Sequence, residues 1–296
     1  MNPSSLDRFP YLVSTLAELD PLVQDAFRRE LEPDEAIDQL TVAPRQELIG
    51  IPSAWQHWLG LRTATLQTPD VMIALTSERL LVATITQPGS SPAVASIPTA
   101  ALLWVELGEI LIFSWFECVW AAPDGVQRLC VLFNAVGVAH FERMRRQLCR
   151  SMIQQADLKP EQGDRKRRLL ADLPYKFGNM IDNILLLADE RIDDVIYRPA
   201  LWQQRWRIWR RMRAPAVALV LSNYHLLLFR ETNSTHMPDY GWIARYCSLR
   251  RVRGLALQED EAALRLDITV GVGGAERTFG VLFPSDLDAR LRQWLR

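Results

Sequence analysis

The chain has 296 residues, with 34 Lys and Arg against 35 Asp and Glu, and is 49% hydrophobic and 23% charged. These proportions exclude collagen, coiled coil and wholesale disorder, and they leave room for one large globular domain or two small ones. A net charge of -1 excludes a surface that is basic throughout, so any site for nucleic acid or anionic lipid must be a local patch.

Met1 to Pro10 is polar and carries Asp7 and Arg8, without the basic and apolar regions of a secretory signal, so a cytoplasmic protein is expected. Asp20 reads as an N-cap with Pro21 at the first helical position, and Leu22, Val23, Ala26, Phe27 and Leu31 follow at helical spacing. Residues 1–33 therefore read as a helical segment. Residues 71–75 lead through Thr76-Ser77-Glu78-Arg79 into residues 80–85, a strand, a polar turn and a strand. Residues 100–122 resemble a membrane span, but Glu106, Glu109 and Glu117 interrupt it. That span reads instead as a buried hairpin, 102–107 and 110–120, hinged at Gly108-Glu109. Pro123-Asp124-Gly125 is a second turn, feeding a strand over 126–133. A helix over 140–153 closes the unit, with Phe141, Met144, Leu148 and Met152 in one stripe. Residues 157–168, with Pro160, Gly163 and Arg165-Lys166-Arg167-Arg168, read as a solvated linker.

From there the order repeats. Leu16-Ala17-Glu18-Leu19 recurs as Leu170-Ala171-Asp172-Leu173, and Asp34-Glu35-Ala36-Ile37 as Asp189-Glu190-Arg191-Ile192. Trp55-Gln56 answers Trp202-Gln203, and Leu75-Thr76-Ser77-Glu78-Arg79-Leu80-Leu81 answers Leu221-Ser222-Asn223-Tyr224-His225-Leu226-Leu227. Ser96-Ile97 pairs with Ser248-Leu249, and Val131-Leu132-Phe133 with Val281-Leu282-Phe283. The matches stay in order, which points to duplication, and the period is too long for a solenoid unit, so each copy is a complete domain. A second leading helix is expected over 170–187, and Leu287, Leu291, Trp294 and Leu295 form the second closing stripe.

A module of meandering antiparallel strands closed by one C-terminal helix resembles the pleckstrin-homology-like (PH-like) fold, particularly its bacterial PH-like and GRAM-like forms. The residues carrying the resemblance are Asp34-Glu35-x-Ile37 and Asp189-Glu190-x-Ile192, the two Leu-Thr/Ser-x-x-Arg/His-Leu-Leu hairpins, and the Val-Leu-Phe run before each final helix. It implies an α+β chain of two antiparallel barrel or sandwich domains, over 34–155 and 189–296, each closed by a helix; the helical segment at 1–33 and the linker and helix at 156–188 lie outside the usual module. It also implies a binding module for lipid headgroups, membranes or peptides, with basic residues around the first hairpin holding phosphates.

The most unusual chemistry lies at that hairpin of the second copy. Trp202, Arg205, Trp206, Arg207, Trp209, Arg210, Arg211 and Arg213 form an arginine and tryptophan segment with no acid between them, and Arg198 precedes it. Indoles favour the membrane interface and guanidinium groups favour phosphate, so the pairing suits anionic lipid, although stacked bases of single-stranded nucleic acid fit it too. As a strand it places Trp202, Trp206 and Ile208, with Gln204 and Arg210, on one side and Arg205, Arg207, Trp209 and Arg211 on the other; as a helix, Trp202, Trp206, Trp209 and Met212 or Arg213 form a core stripe. The first copy has one arginine here, Arg62, so a site of this kind is expected in the second copy alone.

Catalytic and metal motifs are absent from the sequence. Cys118, Cys130, Cys149 and Cys247 have no CxxC spacing, the four histidines are dispersed, and Gly271-Val272-Gly273-Gly274 lacks the residues that complete a phosphate loop and reads as a turn. The chain is therefore expected to be a non-catalytic adaptor without cofactors, meeting a protein partner or an anionic membrane surface. Its alternatives are a scaffold in which the repeats pack as a pseudo-symmetric pair and, behind that, an enzyme of unrecognised type, which would require a deep polar pocket with converging carboxylates or histidines. A homo-oligomer is compatible with the adaptor and with the scaffold.

Overall fold

The computed structural model describes residues 9–49, 65–110, 113–153, 163–187, 190–206, 209–232, 241–260 and 263–294. Among them the chain is α+β: antiparallel sheets dominate, helices are few, and no sheet closes into a barrel. The chain divides into two compact units, residues 1–100, 112–115 and 130–144 in the first and 101–111, 116–129 and 145–296 in the second.

The first unit begins with strand β1 (Tyr11–Val13), which lies in the segment read from sequence as helical and pairs with a later strand. Helix α1 (Pro21–Glu30) starts as expected: Asp20 Oδ1 accepts from the Leu22 N–H at 2.9 Å, and Pro21 opens the first turn. Then come β2 (Ile37–Ala43), the short pair β3 (Glu47–Ile49) and β4 (Thr65–Gln67), β5 (Asp70–Thr76), β6 (Arg79–Ile85) and β7 (Ala93–Pro98). Their sheet runs β1-β2-β5-β6-β7, with β7 at one edge. Val23 and Phe27 of α1 are buried in one cluster with Leu40, Met72, Ala74, Leu81 and Ala83, so the helix covers one face of this sheet.

The chain continues as β8 (Leu102–Ile110), β9 (Phe113–Ala122), β10 (Gly125–Asn134) and helix α2 (Val138–Ser151). Strand β8 runs straight through Gly108 and Glu109, the pair read as a hinge. Both residues are held extended by a neighbouring ladder, Gly108 opposite Ile243 and Glu109 opposite Trp242. Helix α3 (Gly163–Ala171) occupies part of the segment read as a linker, because its basic run consists of good helix formers and continues into Leu169-Leu170. Helix α4 (Tyr175–Met180) follows after Pro174 and passes into one π-helical turn, Ile181–Leu185, so the single leading helix expected over 170–187 is broken in two.

The second copy then adds β11 (Ile192–Arg198), β12 (Leu201–Trp206), β13 (Trp209–Ala214), β14 (Val217–Ser222), β15 (His225–Glu231) and β16 (Gly241–Ser248). It ends with β17 (Val252–Asp260), β18 (Ala263–Val272), β19 (Ala275–Pro284) and helix α5 (Asp288–Trp294). One sheet runs β10-β9-β8-β16-β15-β14-β11, and β17-β18-β19 form another. Leu219, Leu228 and Cys247 of the larger sheet share a core with Leu266, Ile268 and Phe283 of the smaller one and with Leu291 of α5. On the opposite face of the larger sheet, Phe177 of α4 meets Tyr197 and Phe229 edge-on, at 5.0 and 4.9 Å between ring centroids. Gly273 and Gly274 have φ of +57° and +87°, the conformation of a two-residue hairpin turn, which accounts for the glycine run.

The copies agree element by element. The strand order β2, β3, β4, β5, β6, β7, β8, β9, β10 and then α2 matches β11, β12, β13, β14, β15, β16, β17, β18, β19 and then α5. The hairpin registers refine the alignment. Leu80 faces Ile97 as Leu226 faces Cys247, so Ile97 corresponds to Cys247 and the Ser96–Ser248 match moves by two residues.

Candidate functional site

The motifs shared by the copies assemble into one device, made twice. In the first, the Thr76 hydroxyl donates to Glu35 Oε1 at 2.7 Å and Arg79 Nε donates to the same carboxylate at 3.0 Å, while the Glu32 N–H donates to Oε2 at 3.1 Å. Thr76 Oγ1 in turn accepts the N–H groups of Glu78 and Arg79 inside the β5–β6 turn. In the second, the Ser222 hydroxyl donates to Glu190, His225 Nδ1 lies 3.0 Å from Glu190 Oε1, and the Leu187 N–H donates to Oε2 at 3.1 Å. Ser222 Oγ accepts the N–H groups of Tyr224 and His225. A glutamate from the segment before the first strand thus staples the turn of the second hairpin in both copies. Ser222, His225 and Glu190 look like hydrolytic triad types, but serine and histidine both address the carboxylate, so histidine is not placed to take the serine proton. The staple is structural in form.

The Arg79 guanidinium holds the Glu35 carboxyl down at about 2, against an ordinary 4.5, outweighing the opposing effect of burial. A carboxylate with a depressed folded-state pKa stabilises the fold fully above its ordinary value and loses that contribution as pH falls toward the folded value. Denaturant unfolding between pH 4.5 and 2 is therefore expected to show a flatter loss of stability in Glu35→Gln than in the unaltered protein.

The arginine and tryptophan segment is a β-hairpin. Strands β12 and β13 pair with each other as a separate two-stranded sheet, with Gln203 opposite Arg211, Gln204 opposite Arg210 and Trp206 opposite Trp209. An irregularity between Gln204 and Trp206 breaks the regular alternation assumed from sequence. The hairpin reading of the segment holds over the helical one. Trp202 is 56% exposed, so it is not a core stripe residue. Arg205 and Trp206 lie on β12, Trp209, Arg210 and Arg211 on β13, and Arg207 lies outside the described residues. Arg213 is engaged within the protein: its guanidinium donates to Asp260 Oδ1 at 2.9 Å and to the Asp260 carbonyl at 3.1 Å. The first-copy segment read as its counterpart, residues 55–62, also lies outside the described residues.

Arg198 anchors the hairpin root. It is 2% exposed, donates to the carbonyls of Pro199 and Ala214 on the two sides of the root, and keeps a buried Nε without a hydrogen-bond partner. Burial lowers its pKa to about 10, so it stays charged near neutrality. Along one cross-strand row Arg198 faces Val217, Val217 faces Arg230, and Arg230 faces Ile243; opposed residues share a face. Arg230 is missing from the sequence reading, and its placement beside Arg198 follows only once the register is known. Arg245, two residues beyond Ile243 and on the same face, is neutralised by Glu106, with bonds of 2.9 and 2.7 Å. The first-copy counterparts of Arg198, Arg230 and Arg245 are Ala43, Thr84 and Ala95, so this positive charge belongs to the second copy.

Among the described residues no group of three metal-ligating side chains converges, and no helix is long and apolar enough to cross a membrane. Cys118, Cys149 and Cys247 are buried and form no disulfide, and burial pushes Cys247 up to about 12. A cleft of about 650 Å³ opens between α3 and α4, lined in part by Lys166, Leu170, Tyr175 and Asn179, but Lys166 is closed onto Asp182 at 2.6 Å. The chain matches no protein-family model and no curated protein.

Proposed function

We propose that the chain is a non-catalytic binding protein of two PH-like modules, whose β12–β13 hairpin meets a phosphate-bearing anionic membrane surface. The order of seven sheet strands and a closing helix, found twice with an extra hairpin between the first two strands, supports the PH-like reading. The observation that carries the function is the hairpin itself: a two-stranded ribbon apart from the main sheet, with Trp202 exposed and Arg205, Arg210 and Arg211 on its strands. Arg205, Arg207, Arg210 and Arg211 supply charge, and basic residues near an anionic surface contribute about 1 kcal/mol each. Trp202 supplies an interfacial ring. Arg198 acts through the hairpin, by holding its root and by adding positive potential beneath it.

Flotation with vesicles of phosphatidylcholine alone and of phosphatidylcholine with phosphatidylserine tests this. Binding to the anionic vesicles at low salt, lost at high salt and weakened in Trp202→Ala, is expected. Equal flotation with neutral vesicles, or none with either, overturns it.

A further inference from the structure

The two copies treat the same pair of strand edges differently. Strand β16 of the second copy is covered by β8 of the first, both within the second unit: Arg245 lies opposite Glu106, Ala244 opposite Leu107 and Ile243 opposite Gly108. This junction is close. A Cβ on Gly241 would sit 2.4 Å from Thr232 Oγ1 and 2.8 Å from the Glu109 carbonyl. The counterpart of β16 is β7, and the counterpart of β8 is β17, each displaced by a constant 150 residues, as Thr99 is from Leu249 and Ile110 from Asp260. Both counterparts end a sheet: among the described residues β7 pairs only with β6, and β17 only with β18. Residues 102–108 of β8 are all buried, whereas Gly254, Ala256 and Gln258 of β17 are exposed, as are Ala93, Ala95 and Ser96 of β7. Each chain thus carries one edge of the type that covers and one edge of the type that is covered.

We propose that a second copy of this chain docks here, β17 of one molecule adding to β7 of the next in the register that joins β8 to β16. Moving that register by the repeat puts Ala93 opposite Gln258, Val94 opposite Leu257, Ala95 opposite Ala256 and Ser96 opposite Leu255. None of the eight is charged, so no like charges oppose one another. The contact is head-to-tail, leaving a free edge of each type at the ends, and assembles into open chains or rings. It is weaker than the junction inside the chain, because Ala95 and Ala256 replace the ion pair of Arg245 and Glu106, and Pro92 precedes β7 while Pro98 ends it. It is independent of the membrane reading.

Sedimentation velocity over a concentration series tests it with the full chain. Ala95→Arg combined with Ala256→Glu rebuilds the internal ion pair at the new contact and is expected to move assembly to about tenfold lower concentration or further. Ala95→Arg combined with Ala256→Arg opposes two cations and is expected to stay monomeric. All substituted positions are exposed in the single chain, so both variants are expected to fold, and circular dichroism checks this. The two variants differ only on β17. Identical behaviour of the pair, whether both assemble through β7 alone or both remain monomeric, overturns the proposal.

Discussion

Glu190→Ala is expected to destabilise the protein by about 3–5 kcal/mol, the range for removing one partner of a buried charged cluster. Glu190 is 3% exposed, and its removal takes an acceptor from three donors at once, the Ser222 hydroxyl, the Leu187 N–H and His225 Nδ1, leaving the hydroxyl only the His225 carbonyl at 3.1 Å. None can turn to water, because Ser222 and His225 are 1% and 0% exposed. Burial pushes the Glu190 carboxyl up, and the bonds from His225, Ser222 and Leu187 pull it down further, so it remains below the ordinary range. Glu190→Gln keeps an acceptor for two of the three donors and is expected to lose less. Denaturant unfolding checks both, and a loss below about 1 kcal/mol for the alanine variant would refute the staple.

Glu106→Ala is expected to have an effect of the same size for a different reason. Arg245 lies over the rings of Trp104 and Phe279, at 4.7 and 4.8 Å, and is only 15% exposed along its side chain. Without Glu106 its charge stands unpaired on a face that already carries Arg198 and Arg230. About 3–5 kcal/mol is again the expected loss. Glu106→Leu with Arg245→Met removes both charges and leaves packing, so the double variant should be more stable than Glu106→Ala alone. A double variant less stable than the single one contradicts this account.

Much of this was legible in the sequence, because the shared motifs are the residues of the staple. Glu35 and Glu190, Thr76 and Ser222, and Arg79 and His225 stand in matching places because each set meets at one turn. The leading helix cap at Asp20 and the Gly273-Gly274 turn were legible for the same kind of reason, since their chemistry is local. What sequence could not supply was pairing between distant strands. Gly108-Glu109 resembles a turn until β16 lies beside it, and nothing in residues 102–110 names a partner more than 130 residues away. The basic run at 165–168 resembles a linker because its charge is informative about solvent and silent about helix. At the hairpin, the irregular pairing at Gln204–Trp206 and the Arg213–Asp260 ion pair both depend on the register. The first shifts which residues oppose one another, and the second removes one arginine from the candidate surface.

That removal shapes the sharpest comparison. Arg205, Arg207, Arg210 and Arg211 changed together to Glu reverse the hairpin charge while Arg198 and Arg213 keep their internal partners. The measurement is flotation of this variant and of the unaltered protein with phosphatidylserine-containing vesicles at low salt, each with its melting curve. Loss of vesicle binding at an unchanged melting temperature is the predicted result; a variant that floats as the unaltered protein does contradicts the hairpin as the membrane contact.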